Sequence, residues 1–383
     1  MLAERMNRLG TETAFEVLAR AKAMEAEGRE VIHLEIGEPD FDTPANIIDA
    51  AVNALKGGYT HYVPSAGIPE ARKIFAEFIT KDRGVEVKPE NVVITPGAKP
   101  ILFFSILALC GRGDEVIYPN PGFPIYESVI NFSGAKSVPI PLREEKAFSF
   151  DLDELRELVN EKTKLMIINS PQNPTGGVLT SDDMKGIAEL AAKYDVWVLS
   201  DEVYSKMVYE GKHVSMYDYP EMKDRTILLE GHSKTYAMTG WRLGYGVMPV
   251  PLAEQIAKLQ TNSNSCTAAF TQMAGVEALT GPQDESRRMM AEFKARRDLI
   301  VDGLNAIPGF KCLRPKGSFY VFPNITGTGM NSKQLEEHLL EKGGVAGLSG
   351  TSFGEYGEGY LRFSYANSQE NIKKALERIR EVL

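Results

Sequence analysis

A chain of 383 residues, 43% hydrophobic and 25% charged, is long enough for one large α/β core and a smaller satellite unit, because burial per residue rises with size until cores divide. A net charge of −9, with both signs mixed along the chain, argues against nucleic acid or membrane as the main partner, since both need clustered Lys and Arg. Cys110, Cys266 and Cys312 are odd in number and far apart, which argues against a disulfide framework or a zinc site. The longest apolar run, PILFFSILALC at 100–110, is too short to span a bilayer. The stretch MLAERMNRLG is charged and lacks an apolar signal core, so a cytoplasmic protein acting on small molecules is expected.

In chain order, a helix over about 14–27 precedes the Pro-rich loop GEPDFDTP, and a second helix is expected over 68–81. Short β-branched runs then alternate with helical patterns. VVIT (92–95) leads to a helix over 99–110, EVIYP (115–119) to one over 151–160, and LMIIN (165–169) to one over 181–193. VWVLSD (196–201), TILLE (226–230) and LGYGVM (243–248) complete the series. The alternation predicts an α/β fold, a mostly parallel sheet covered by helices. After Gly281-Pro282 the texture changes. A charged helical stretch (283–306), the segment FKCLRPKGSFYVFP, a helix near 332–342, YLRFSYA and a terminal helix from Asn367-Ser368 read as a smaller α+β domain of ordinary size. The expected division is a large cofactor-binding domain at 46–281 and a small domain at 282–383, with the N-terminal segment 1–45 packing with the latter.

In open parallel sheets, ligands bind beyond the carboxyl ends of the strands, so the residues just past each strand are diagnostic. VVIT is followed by PGAK, where Gly97, Ala98 and Lys99 offer backbone N–H groups and a helix N-terminus to an anion. LMIIN runs into SPQNPTGG, which sets Asn173 between prolines; VWVLSD ends at Asp201, with Tyr204 three residues on; TILLE leads to Ser233 and Lys234. Each has an ordinary use. A strand-end Asp commonly caps the next helix, an Asn-Pro turn is commonly structural, and a loop lysine is commonly solvated. Together, on one sheet edge, they suit a phosphorylated pyridine aldehyde: a lysine to bond it covalently, a carboxylate for its protonated ring nitrogen, and an anion site for its phosphate. Asn173 and Tyr204 are candidates for its ring hydroxyl, and Arg242, eight residues after Lys234, for a charge-assisted pair with the phosphate. Burial beside a cation would lower the lysine's pKa and make it a competent nucleophile and base.

The motifs SKTYAMTGWRLGYG, NSPQNPTGG, SDEVYSK, GEPDFDTP and YLRFSYA together resemble the class I aminotransferases, pyridoxal-phosphate enzymes of the aspartate aminotransferase fold, from about residue 10 to the C-terminus. The resemblance implies pyridoxal 5'-phosphate as cofactor, with Lys234 as the covalent lysine, Asp201 as the ring-nitrogen partner and Arg242 and the 97–99 turn as phosphate ligands. It further implies that Phe123 stacks on the pyridine, and that Arg362, with Asn173 and the backbone of Gly37, grips the substrate α-carboxylate. Tyr62 matches a tyrosine that reaches the neighbouring subunit's phosphate, which implies a homodimer. Two positions depart from the pattern. Gly231 stands where many relatives carry a phosphate-binding serine, leaving Ser233 as a candidate substitute, and Phe123 stands where aspartate-specific members commonly carry tryptophan.

The expected reaction is a two-stage transfer of an amino group from an L-amino acid to a 2-oxo acid, 2-oxoglutarate or pyruvate, with Lys234 moving the α-proton. A β-lyase shares the first half of this chemistry, and a non-catalytic sensor is a more distant alternative. Lys99, Phe15, Phe123 and the stretch TNSNSCTAAF (261–270) are the candidates for reading the substrate side chain. His232 receives no role.

Overall fold

A computed structural model describes residues 2–383. Its main sheet has seven strands, here β1 (Val92–Thr95), β2 (Glu115–Asn120), β3 (Lys136–Pro141), β4 (Thr163–Asn169), β5 (Trp197–Asp201), β6 (Thr226–Gly231) and β7 (Gly244–Val247). The spatial order is β1-β7-β6-β5-β4-β2-β3. Every neighbouring pair is parallel except the two made by β7, which runs antiparallel to both β1 and β6. Parallel pairing needs a long crossover, whereas β6 and β7 are joined only by the loop 232–243, so the chain returns antiparallel. That loop carries Lys234 and Arg242.

The apolar runs are continuous because both faces of the sheet are covered. Leu165 and Ile167 of β4, with Leu199 and Ile227, pack against Ile101 and Ile106 of the helix Lys99–Leu109 and Leu252 and Ile256 of the helix Val250–Ser263. Met166 and Ile168 face the other way, onto Met184, Ile187 and Ala191 of the helix Ser181–Tyr194, the period-two alternation of a strand. This last helix starts at a capping box: Thr180 Oγ1 accepts from the N–H of Asp183, whose carboxylate accepts from the N–H of Thr180. The edge strand β3, KSVPIP, carries two prolines and so was not legible as a strand; at an edge proline is tolerated.

Residues beyond 281 build around the helix Asp284–Asn305, the three-stranded antiparallel sheet of Leu348–Ser349, Leu361–Ser364 and Tyr320–Val321, and the terminal helix Gln369–Val382. Ser368 caps that last helix, accepting from the N–H of Asn371 at 3.1 Å. Ile372, Ala375, Leu376 and Ile379 form its buried stripe at helical spacing. The expected helix near 332–342 is α-helical over Ser332–His338 and then widens to a π turn over Leu339–Gly343. The N-terminal segment joins this part of the molecule by pairing Ile32–His33 in parallel with Val345–Ala346.

Candidate active site

Because β7 is antiparallel to both its neighbours, Thr95, Asn120, Asn169, Asp201 and Gly231 all end their strands on one edge. A cavity of about 360 Å³ opens there, roofed by residues from the N-terminal segment and from beyond residue 281. It is lined by Lys234, Asp201, Tyr204, Asn173, Ser233 and Arg242, and also by Ala98, Lys99, Phe123, Gly37 and Arg362. Gly97 lies directly behind the lining: a Cβ built on it would stand 2.3 Å from Arg242 Nη2, and its φ of +85° is one that side-chain-bearing residues rarely adopt. Tyr62 does not line the cavity of its own chain and is 88% exposed.

Asp201 is buried, and that burial pushes its carboxyl up to about 6. It accepts from the Tyr126 hydroxyl at 2.6 Å and from the Val203 N–H at 3.3 Å, and Asn169 Nδ2 donates to its carbonyl at 3.0 Å. These partners are neutral, so the pocket favours a ligand group that brings positive charge to the carboxylate. Tyr204 is also buried, its phenol held well above its usual pKa by desolvation and by Tyr320, whose hydroxyl lies 2.9 Å away.

Lys234 Nζ donates to the Gly37 carbonyl at 2.6 Å and lies 5.9 Å from the Tyr204 ring centroid and 5.6 Å from that of Phe319. Desolvation, followed by the charge of Arg362, lowers its pKa to about 8, which places a free amine within reach of neutral pH. Arg362 is buried, 4.4 Å above the Tyr320 ring, and donates to Asn173 Oδ1 at 3.1 Å and to the Glu35 carbonyl. Asn173 is itself held through its N–H by Asn169 Oδ1 at 2.9 Å.

Arg242 adopts φ +53°, a left-handed conformation that costs on the order of 1–3 kcal/mol in a side-chain-bearing residue and persists where surrounding structure enforces it. Its guanidinium donates to the Thr239 carbonyl at 2.8 Å and faces the Gly97 turn at the N-terminus of the helix Lys99–Leu109. The side chain of Lys99 turns away from that turn, pairs with Glu12 and lies 5.4 Å from the Phe123 ring centroid. Its contribution to the turn is therefore its backbone N–H.

These residues fit pyridoxal phosphate on chemical grounds. A cation and backbone N–H groups stand at one end, a desolvated carboxylate on the floor, and an amine of lowered pKa beside it. Tyr126, Asn169, Tyr320 and Glu12 belong to the same constellation and were not singled out in the sequence. Asn169 had the clearest signal, a polar residue closing an apolar strand; Tyr126 stands three residues after Phe123 in PNPGFPIY. His232, two residues from Lys234, points the other way, into a cage of Phe75, Tyr236 and Tyr245.

Residues 29–379 match the family model "Aminotransferase class I and II". The chain is 44% identical to an aspartate aminotransferase of Pyrococcus horikoshii, over all of this chain and 97% of the relative. It is 40% identical to aromatic-amino-acid aminotransferase 2 of Thermococcus litoralis, over 92% of each chain. Its fold superposes on the aspartate aminotransferase of Thermus thermophilus with maleate at a TM-score of 0.96, with 36% identity and both chains fully covered.

Proposed function

Since the chain belongs to the class I and II aminotransferases, and so transfers amino groups between amino acids and 2-oxo acids in a pyridoxal-phosphate-dependent reaction, we propose that the cavity at the strand ends is its active site. The observation that carries this assignment is the amine of Lys234, lowered to about 8, in the same cavity as the desolvated carboxylate of Asp201 and the buried cation of Arg362.

Pyridoxal phosphate, when bound, supplies an aldehyde carbon that takes up the amino group and an electron-poor ring that spreads the charge left by the departing α-proton. The Gly97–Lys99 turn and Arg242, with Ser233, would hold its phosphate. Asp201 would hold a proton on its ring nitrogen, Tyr204 and Asn173 would meet its ring hydroxyl, and Phe123 would lie against its face. Arg362 binds the substrate α-carboxylate, with the Asn173 side chain and the Gly37 backbone alongside it. That grip orients the Cα–H bond toward the amine of Lys234, which takes the α-proton as base and returns it as acid. Tyr126 donates to Asp201 and Asn169 orders Asn173, so each keeps another side chain in position.

The division into a body at 46–281 and a part at 282–383 that shares the roof with the N-terminal segment belongs to the same proposal. So does a homodimer. Ile48, Val52 and Leu55 leave an exposed apolar stripe on the helix Ala45–Lys56, continued by Tyr59 and Tyr62, as expected of a surface covered by a second copy. Tyr62 would then reach the partner's phosphate site. No helix among the described residues is long and apolar enough to cross a membrane, and a net charge of −9 disfavours nucleic acid as the main partner.

The test is visible absorbance of the purified protein as alanine, aspartate, glutamate and phenylalanine are added separately, with Lys234→Ala alongside. The expected outcome is a cofactor band in the wild type that converts to the aminated form while the matching 2-oxo acid appears, and no such conversion in Lys234→Ala. A cysteine S-conjugate is added as a further substrate: loss of its thiol with release of pyruvate and ammonia, without the aminated form, would replace transamination with elimination, and failure to take up added pyridoxal phosphate would refute the site.

A further inference from the structure

The cations around the cavity are not alike. Arg362, Arg242 and Lys234 each donate to a backbone carbonyl, respectively Glu35, Thr239 and Gly37, so their positive charge stays available to anions in the cavity. Lys99 instead forms an ion pair with the carboxylate of Glu12. Both side chains line the cavity, and the ammonium lies over the Phe123 ring. Glu12 is the more enclosed partner, its side chain 19% exposed against 48% for Lys99. It sits two residues before the helix Ala14–Ala26, on a stretch anchored by the Gly10 N–H donating to Ser128 Oγ at 2.9 Å. Phe15 and Phe353 complete this wall.

Resting on the transamination reading above, we propose that Glu12 is a specificity-determining residue: it occupies Lys99 with a carboxylate of the protein's own and thereby disfavours substrates that carry a second carboxylate, such as aspartate and glutamate, relative to amino acids with uncharged side chains. Of the four cations, three are committed to the α-carboxylate, the phosphate and proton transfer, which leaves Lys99 as the cation for a distal carboxylate. A dicarboxylate must displace Glu12 from Lys99 or lie beside it. The first exchanges one ion pair for another, and the second sets two like charges together in a partly desolvated pocket. An aromatic or small apolar side chain leaves the pair intact and packs against Phe15, Phe123 and Phe353. Specificity of this kind works by an unfavourable element aimed at the competitor as much as by contacts to the preferred ligand.

The test uses the holoenzyme and single-turnover half-reactions followed at the cofactor band, so that no second substrate enters. The wild type, Glu12→Gln, and Glu12→Gln with Lys99→Met are compared for aspartate and phenylalanine. Succinate, a dicarboxylate without an amino group, is titrated in parallel by the thermal shift of the holoenzyme. Glu12→Gln should raise the aspartate-to-phenylalanine ratio of rate constants over dissociation constants about tenfold, some 1.4 kcal/mol. It should tighten succinate binding to a similar degree, and Lys99→Met should abolish both gains. An unchanged ratio in Glu12→Gln, or a gain that survives the loss of Lys99, overturns the proposal. Absence of any half-reaction with both amino acids would instead refute the transamination reading, and the succinate titration would still decide the role of Glu12.

Discussion

At the scale of single residues, the site is built from groups whose protonation is set by burial and by neighbours from distant parts of the chain. His232 shows the same physics without a ligand-facing role. It is buried among Phe75, Tyr236 and Tyr245, and desolvation lowers its pKa to about 4. The unfolded chain therefore takes up a proton near the ordinary histidine value of about 6.5 that the folded chain refuses until about pH 4. Between these values the unfolded state binds more protons, so stability falls as the pH is lowered through this window. His232→Phe should remove that dependence, making the variant more stable than wild type by on the order of 2–3 kcal/mol at pH 4 relative to their difference at pH 8. Thermal melts of both proteins across pH 4–8 check this. Taking the difference between the two proteins cancels the opposite slopes from Asp201 and Glu230, whose pKa values burial raises to about 6 and about 7.

At the scale of elements, the proposed phosphate site depends on how closely β1, β7 and the turn between β1 and its helix approach one another. A Cβ on Gly97 would collide with the Arg242 guanidinium at 2.3 Å, and one on Gly244 would meet the Ala98 backbone N at 2.5 Å. The two clashes differ in what can yield. Arg242 is a flexible side chain, so Gly97→Ala should fold but bind pyridoxal phosphate at least tenfold more weakly, because both the turn geometry at φ +85° and the arginine are disturbed. The Gly244→Ala clash is with backbone, so it should lower the melting temperature of the apoprotein as well. Equilibrium titration with pyridoxal phosphate and apoprotein melts separate these effects. Part of this was legible in sequence: PGAK between an apolar strand and an apolar helix is on local pattern alone commonly just a turn, and it reads as an anion-binding turn only together with the polar residues that end the neighbouring strands. The contact of Gly244 with Ala98 was not, because it arises from β7 inserting antiparallel between β1 and β6.

At the scale of the whole molecule, the exposed stripe Ile48, Val52, Leu55, Tyr59 and Tyr62 bears on assembly. Val52→Asp should shift the protein from dimer to monomer in sedimentation at micromolar concentration and weaken cofactor binding in parallel, because a charge in an apolar interface is left unpaired. Tyr62→Phe should leave the dimer intact and weaken pyridoxal-phosphate binding roughly tenfold or more, the worth of one hydrogen bond to a charged group. A Tyr62→Phe protein with unaltered cofactor affinity would remove this residue from the partner's site.

The sequence by itself determined where six of the seven strands of the main sheet lie and several of the polar residues at their ends, because local periodicity and strand-end composition depend only on near neighbours along the chain. Lys234, Asp201 and Asn173 were therefore identifiable as members of one group. Tertiary structure alone decided which side chains face them. Tyr126 reaches Asp201 across 75 positions, Glu12 reaches Lys99 across 87, and Arg362 reaches Asn173 across 189. Such pairings depend on the order of strands and on the segments folded over their ends. No local pattern encodes that order, and it decides which charges stand together at the strand ends.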